Sequence, residues 1–446
     1  MKEYPYWWDT MPALRAGTQN LEPQTQNPEP GTQNPEPLPS RADVAILGAG
    51  YTGLAAARHL ARAGASVVVF ERDRTGSGAS SRNGGQVVTG MKLDPAALVA
   101  RFGEARARQL FDISLDSIAA LEALIAGEAI ACEYERTGHL EAAWKPSHFR
   151  AFRGQQALLS RVFGHRVELV PRADQRSELG TDAYHGLLVD EGSAALNPAK
   201  YVAGLAEAAR RAGAAIAEHT AVTRVSRAPG RRPEGRWTIA TPRGDVEAGD
   251  VLIATNGYTN GASPSLQRRL VPIGSYIIAT APLSETDAAA LLPKRRVAFD
   301  SKNFLYYWRL SGDRRLLFGG RAEFSRPTPA STGRAASILR DGLVRVFPQL
   351  AATRIDYAWS GHVAFTRDQM PHAGKFEDDV YYAGGYCGHG IAMATYLGTL
   401  VARRIAGEPI EHPLMDDRFP AIPFYNGRPW FLPLVGMYYR IRDIVD

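Results

Sequence analysis

The stretch ADVAILGAGYTGLAAARHLARAGASVVVFER, residues 42–72, constrains the fold more than any other part of the chain. It runs as an apolar strand, a glycine turn, an alanine-rich helix closed by Gly64 and a second apolar strand, which together make a βαβ unit. Gly48, Gly50 and Gly53 stand as Gly-x-Gly-x-x-Gly between the first strand and the helix, the context that a dinucleotide fingerprint requires. The first glycine permits the tight turn, the second lets a pyrophosphate approach the backbone, and the third lets helix and strand pack closely. Tyr51 and Thr52 open the helix, so its N-terminus faces the phosphates. Glu71 ends the second strand, just before Arg72. A carboxylate there accepts both ribose hydroxyls of an adenosine and disfavours a phosphate on the ribose.

At 446 residues the chain exceeds the size at which one core keeps growing, so two domains are expected. Only one complete fingerprint is present, which argues against a reductase holding both FAD and NAD. A single NAD enzyme would continue in regular βα repeats. A flavin enzyme instead wraps a long cofactor with distant segments. The loop GSGASSRNGGQV, residues 76–87, follows Glu71 and offers Ser80, Ser81, Arg82 and Asn83 to phosphate or ribityl oxygens. Gly84 and Gly85, before Gln86, let the backbone approach a flat ring.

Downstream, residues 91–180 read as mainly helical with charged faces. A strand, an Asn197-Pro198 turn and a helix ending at Gly213 come next. A β-meander then returns to the apolar strand before Asn256 and Gly257, several longer strands fill 271–322, and a helix spans 331–346. Near the end, YYAGGYCGHGIAMATYLGTLVARRIAG, residues 381–407, repeats the strand, glycine loop and helix order, with Ala394, Leu397, Val401 and Ile405 on one helical face. The expected fold is α/β: a Rossmann-type FAD-binding domain built from discontinuous segments 41–95, 185–270 and 355–410. A second, α+β substrate domain, 96–184 and 271–354, surrounds a large mixed or antiparallel sheet. Residues 1–40 form an arm whose part 18–40 repeats Thr-Gln-Asn-x-Glu-Pro three times, a proline-spaced tether with too few apolar side chains for a core. The tail 411–446 is expected to pack on the body.

A net charge of +6, spread over the chain, gives no basic patch for nucleic acid. Cys132 and Cys387 are far apart and outside any Cys-x-x-Cys pair, so no disulfide framework and no metal site is expected. Neither a signal-peptide pattern nor a membrane-length apolar run occurs, and a cytoplasmic location follows as the expectation.

The segments GAGYTGLAAARHLARAG, SSRNGGQV, DEGSAALNPAKYVAGLAEAA, VLIATNGYT and GYCGHGIAMATYLG resemble the D-amino-acid oxidase and glycine/sarcosine oxidase superfamily of FAD-dependent oxidoreductases. Within it, SRNGGQV, VPIGSYIIAT, DRRLLFGGR and YNGRPWFLPLVGMYYRIRD are most similar to the γ-glutamylputrescine oxidoreductases. The resemblance spans about residues 41–446. It implies that Gly388, His389, Gly390 and Ile391 complete the flavin-ring site, that Val222 meets the adenine through its backbone, and that Ala254, Asn256 and Gly257 lie near the pyrophosphate. Members with covalently attached flavin carry a cysteine in the segment matching SGHVAFTRDQMPHAG, where this chain has none, so non-covalent FAD is expected.

By the same resemblance, the activity is oxidation of an aliphatic amine such as γ-glutamylputrescine to an imine and then an aldehyde, with dioxygen or another electron acceptor. A secondary or D-amino acid remains an alternative substrate, and a non-catalytic flavin scaffold a second alternative. In the hairpin NFLYYWRLSGDRRLLFGGR, strand alternation sets Phe304, Tyr306 and Trp308 on one face and Leu305, Tyr307 and Arg309 on the other. Relatives place Tyr307 at the substrate, although such aromatics equally fill a core. Arg309 and Arg321 are the candidates for a carboxylate clamp. The strand Leu316-Leu317-Phe318 lacks the lysine that promotes dioxygen reduction in relatives, leaving Lys302 as a substitute. His389, between glycines, reads as a flavin hydrogen-bond donor or a base.

Overall fold

The computed structural model describes residues 1–11, 37–228, 237–320, 329–415 and 418–445. Most of the repeat tether, and Arg321, lie outside the described residues.

Two eight-stranded sheets organise the chain. The first follows the order His372–Lys375, Tyr381–Gly384, Val246–Ile253, Arg41–Leu47, Val67–Phe70 and Ala215–Ala217, with Trp237–Ala240 and Arg224–Arg227 attached beside Val246–Ile253. Its central pairings are parallel. Val67, Val68, Val69 and Phe70 are all buried, as an unbroken apolar strand must be when both sheet faces are covered. Helices Tyr51–Arg62 and Gly390–Ile405 pack against each other beside this sheet, although they come from opposite ends of the sequence.

The second sheet runs Ile355–Phe365, Val271–Thr280, Leu316–Gly320, Tyr306–Leu310, Val297–Asp300, His139–Ala142, Gly186–Asp190 and Glu168–Pro171. It is antiparallel except where His139–Ala142 lies parallel to Val297–Asp300. One face buries Trp308, Phe318 and Ile278 with Leu339, Leu343 and Phe347 of the neighbouring helix and turn. The alternate residues of the same strands, among them Ile277, Leu317 and Tyr307, point to the other face.

The region 91–180 does hold helices Pro95–Gly127 and Pro146–Leu158, but it also contains two strands of the second sheet, His139–Ala142 and Glu168–Pro171. Each is four residues long, and His139–Ala142 is fixed by partners distant in sequence, so local periodicity has little to register. Gly186–Asp190 and Ile355–Phe365, expected with the nucleotide-binding segments, hydrogen-bond into the second sheet instead. A buried apolar run carries no mark of which sheet will accept it.

The first residues close onto the body: Tyr6, Trp7 and Trp8 are buried. In the tail, Tyr425 Oη donates to Leu270 O at 2.9 Å and Leu432 packs with Val271 and Ile273, while Phe424, Trp430, Leu434, Met437 and Tyr438 stay exposed. Among the described residues no helix is long and apolar enough to cross a membrane.

Candidate active site

A cavity of about 1200 Å³ runs from the glycine turn to the second sheet. At one end Glu71, raised in pKa by burial, accepts from the backbone N–H of Ala49 and of Asp73, each at 3.0 Å. Those two bonds fix the carboxylate where lone pairs remain for hydroxyl donors. Val222 lines the same cavity, as do Ala254 and Asn256. Arg72 lies in the wall too, ion-paired with Asp73 at 2.7 Å.

Along the turn the backbone has no room for side chains. Gly48 has φ +105°, and a Cβ there would stand 2.9 Å from Ala254 O; one on Gly50 would stand 2.9 Å from Ser80 Oγ. Gly53 does not line the cavity. Its Cβ would meet Gly48 O at 2.0 Å, so this position serves the close packing of helix on strand. Tyr51 N–H donates to Ser80 Oγ at 3.1 Å, which couples the fingerprint helix to the second glycine-rich loop. Thr52 lines the cavity as well.

That second loop is held by hydrogen bonds from three indoles. Trp7 Nε1 donates to Asn83 O at 2.9 Å, Trp8 Nε1 to Ser81 Oγ at 2.8 Å, and Trp359 Nε1 to Arg82 O at 2.8 Å. Asn83 folds the loop on itself, donating to Ala79 O at 3.0 Å and accepting from Gly85 N–H at 2.9 Å. Gln86 Nε2 donates to Trp308 O at 3.1 Å and fastens the loop to the second sheet. Arg82 stacks over Trp8 at 4.8 Å, donates to Ser77 O and Ser360 O, and presents positive charge in the cavity wall.

Ser80, Arg82, Asn83, Gly84 and Gln86 thus line the cavity, whereas Ser81 and Gly85 do not. Ser81 is spent on Trp8. At Gly85 (φ +69°) a Cβ would stand 2.2 Å from Leu196 O and 2.6 Å from Arg309 Nη1. Gly257 also faces away, against His362 and Ala364.

At the far end Gly388, His389, Gly390 and Ile391 line the wall where helix Gly390–Ile405 begins. Burial drives the His389 pKa down to about 3, so the imidazole is neutral, and its Nδ1 is buried without a hydrogen-bond partner. Such an atom calls for a ligand partner. Together with the anchored Glu71 and the closely approached glycine turn, it fits an extended dinucleotide of the flavin type lying through the cavity.

Tyr307 lies against the loop: a Cβ on Gly84 would stand 3.1 Å from Tyr307 Cε2, and the phenol is 3.2 Å from Ser275 Oγ. Arg309, expected as a clamp on the same face, is withdrawn from the cavity. Its guanidinium is buried, with Nη1 donating to Gly85 O (2.7 Å) and Leu196 O (2.8 Å) and Nε to Leu310 O (3.1 Å), so it braces the loop and does not line the cavity. Lys302 does face the cavity. Its ammonium pairs with Asp300 at 2.9 Å and rests over the Tyr306 and Trp144 rings.

Glu141 and Phe299 also stand in the wall, and sequence reasoning missed them. The alternation in HLEA, with Glu141 between buried Leu140 and Ala142, was a strand signal, but it did not say whether the charged face met solvent or a cavity.

The family described as FAD dependent oxidoreductase matches residues 43–404. The chain is 33% identical over 405 residues to γ-glutamylputrescine oxidoreductase of Escherichia coli, covering 90% of this chain and 92% of that one. It is 26% identical over 380 residues to glycine oxidase of Geobacillus kaustophilus, covering 81% and 92%. The crystal structure of that glycine oxidase shares the fold, with a TM-score of 0.72 at 22% identity over 86% of this chain and all of that one.

Proposed function

Given that this chain belongs to the FAD-dependent oxidoreductase family and uses FAD, we propose that it oxidises a primary aliphatic amine of the γ-glutamylputrescine kind. The observation that carries this reading is the withdrawal of Arg309 from the cavity lining: its Nε and Nη1 donate to three backbone carbonyls, while the cavity face beside it is formed by Tyr307 and Phe299. An aromatic wall suits an alkylamine chain, and an amino-acid carboxylate would need a bidentate partner there. The extensive similarity to a named amine oxidoreductase points the same way.

FAD held along residues 48–52, the loop 80–86 and residues 388–391 would supply a hydride acceptor for converting R–CH2–NH2 to R–CH=NH, with the nitrogen losing a proton. The imine then adds water and releases ammonia to leave the aldehyde. The protein's part is to bind, orient and keep dry. Tyr307 and Phe299 flank the reacting segment, and the loop braced by Asn83 and Arg309 fixes the distance to it. Neutral His389 offers its Nδ1 as a hydrogen-bonding group without adding a charge. The N-terminus of helix Gly390–Ile405 brings partial positive charge to the same wall. We further infer that the FAD is dissociable: the buried Cys387 thiol, its pKa raised by burial, bonds to Gly385 O and Thr366 rather than standing as a thiolate. A cytoplasmic setting is supported by both cysteines being free thiols.

Anaerobic mixing with γ-glutamylputrescine, putrescine, sarcosine and D-amino acids tests the assignment through bleaching of the oxidised-flavin absorbance. Bleaching by the amines is expected, and readmitted air shows whether dioxygen is the acceptor. Bleaching by amino acids alone overturns the reading. Acid precipitation should leave all the flavin in the supernatant.

A further inference from the structure

One row of the second sheet crosses the cavity floor. Backbone pairing sets Ile277 opposite Gly319, Gly319 opposite Tyr307, Tyr307 opposite Phe299, Phe299 opposite Glu141, and Glu141 opposite Leu188. Residues in register on neighbouring strands face the same way, and Ile277, Tyr307, Phe299, Glu141 and Leu188 all line the cavity. Glu141 is two strands from Tyr307, about 10 Å at the usual strand spacing.

The surroundings of Glu141 are poor in positive charge. Leu188 stands opposite it on the next strand, and Leu159 and Val167 are further apolar residues of the cavity wall. Its near polar neighbour is Gln155, Lys92 acts on it as a more distant cation, and Asp94 and Asp300 oppose its charge. Asp300 is occupied by Lys302, Tyr184 Oη and the Tyr306 N–H. Burial raises the Glu141 pKa to about 7. Among the described residues Glu141 has no ion pair, so it is charged in the cavity wall only at a cost that a proton or a cationic ligand removes.

We propose that Glu141 is a specificity residue that binds a second ammonium group of the substrate, several carbons beyond the amine oxidised at Tyr307. This rests on the reading of the cavity as an amine site and narrows it to long diamines and aminoacylated diamines. A small amino acid such as sarcosine has one nitrogen and is too short to span from Tyr307 to Glu141.

The test is anaerobic calorimetric titration of the holoenzyme with octamethylenediamine and with octylamine, which share a chain and differ in the distal ammonium. Wild type should bind the diamine more tightly, and Glu141→Gln should cut that preference by roughly tenfold or more, the usual weight of a hydrogen bond to a charged group. Glu141→Asp, which keeps the charge, should retain part of it, and octylamine affinity and FAD content should stay unchanged in both variants. In wild type the preference should weaken as pH falls through about 7, where Glu141 takes a proton. Equal binding of the two ligands by wild type, or a preference that survives in Glu141→Gln, overturns the proposal. A Glu141-dependent preference without flavin bleaching supports the ammonium subsite while refuting amine oxidation, so the two failures are distinguishable.

Discussion

Thr52 and Tyr386, 334 positions apart, share a buried hydrogen bond of 2.6 Å between their hydroxyls. It joins the first turn of the fingerprint helix to the glycine loop near the other end of the chain. The same contact is tight in the backbone, since a Cβ on Gly398 would stand 2.3 Å from Thr52 O. Two distant parts of one cavity wall are therefore locked together by hydroxyl pairing and helix-on-helix approach.

Removing the phenol should show this lock. Tyr386→Phe leaves the Thr52 hydroxyl buried without its partner and is expected to cost about 1 kcal/mol of stability. Gly398→Ala, which must push the helices apart, should cost more. Thermal unfolding of the holoenzyme of each variant checks the order.

The N-terminal aromatics should govern cofactor retention. Trp7 and Trp8 donate to the loop at Asn83 and Ser81, so Trp8→Phe keeps the packing and loses one bond, whereas Trp8→Ala opens the cavity wall at Arg82. FAD affinity, read by fluorescence on dilution, is expected to fall roughly threefold to tenfold for Trp8→Phe, in line with one lost hydrogen bond, and further for Trp8→Ala.

Arg309 is expected to behave as a brace. Arg309→Met removes the side-chain donor from Leu196 O, while Gly85 O keeps the Leu196 N–H at 3.0 Å, and should lower stability by roughly 1–3 kcal/mol, together with FAD occupancy. In enzyme reconstituted with FAD, KM for the amine should change little. A large rise in KM with stability intact would mean that the guanidinium meets the substrate after all.

His389 should leave a signature in acid. Its native pKa is depressed to about 3 by burial, against 6.5 in an ordinary setting. Between those values the unfolded chain binds a proton that the native imidazole refuses, so stability is full above the ordinary value and declines as pH falls below it. His389→Asn should give a shallower loss of Tm from about pH 7 to about pH 5 than wild type.

The sequence by itself determined the nucleotide half of this protein. Gly53 packs on Gly48 O and Glu71 accepts from the Ala49 N–H, so one strand, turn, helix and strand unit specifies their geometry, although Gly48 and Gly50 also meet Ala254 and Ser80 from outside it. The loop 76–87 showed itself by its glycines and polar side chains, and the hairpin face carrying Tyr307 by strand alternation. Tertiary structure decided what depends on pairing across long separations. Strand alternation set Arg309 on the cavity-side face, but only the arrival of Leu196 beside Gly85 turned its guanidinium onto carbonyls. Nothing local marked Glu141, and the parallel pairing of its short strand with Val297–Asp300 set it in one row with Phe299 and Tyr307. The aromatic run around Trp7 and Trp8 suggests an arm that packs back on the body, but only the fold shows that the second glycine-rich loop supplies the acceptors for their indoles. A pattern within one element reports which residues share a face, and the partner that face meets is fixed by packing energies summed over the whole chain.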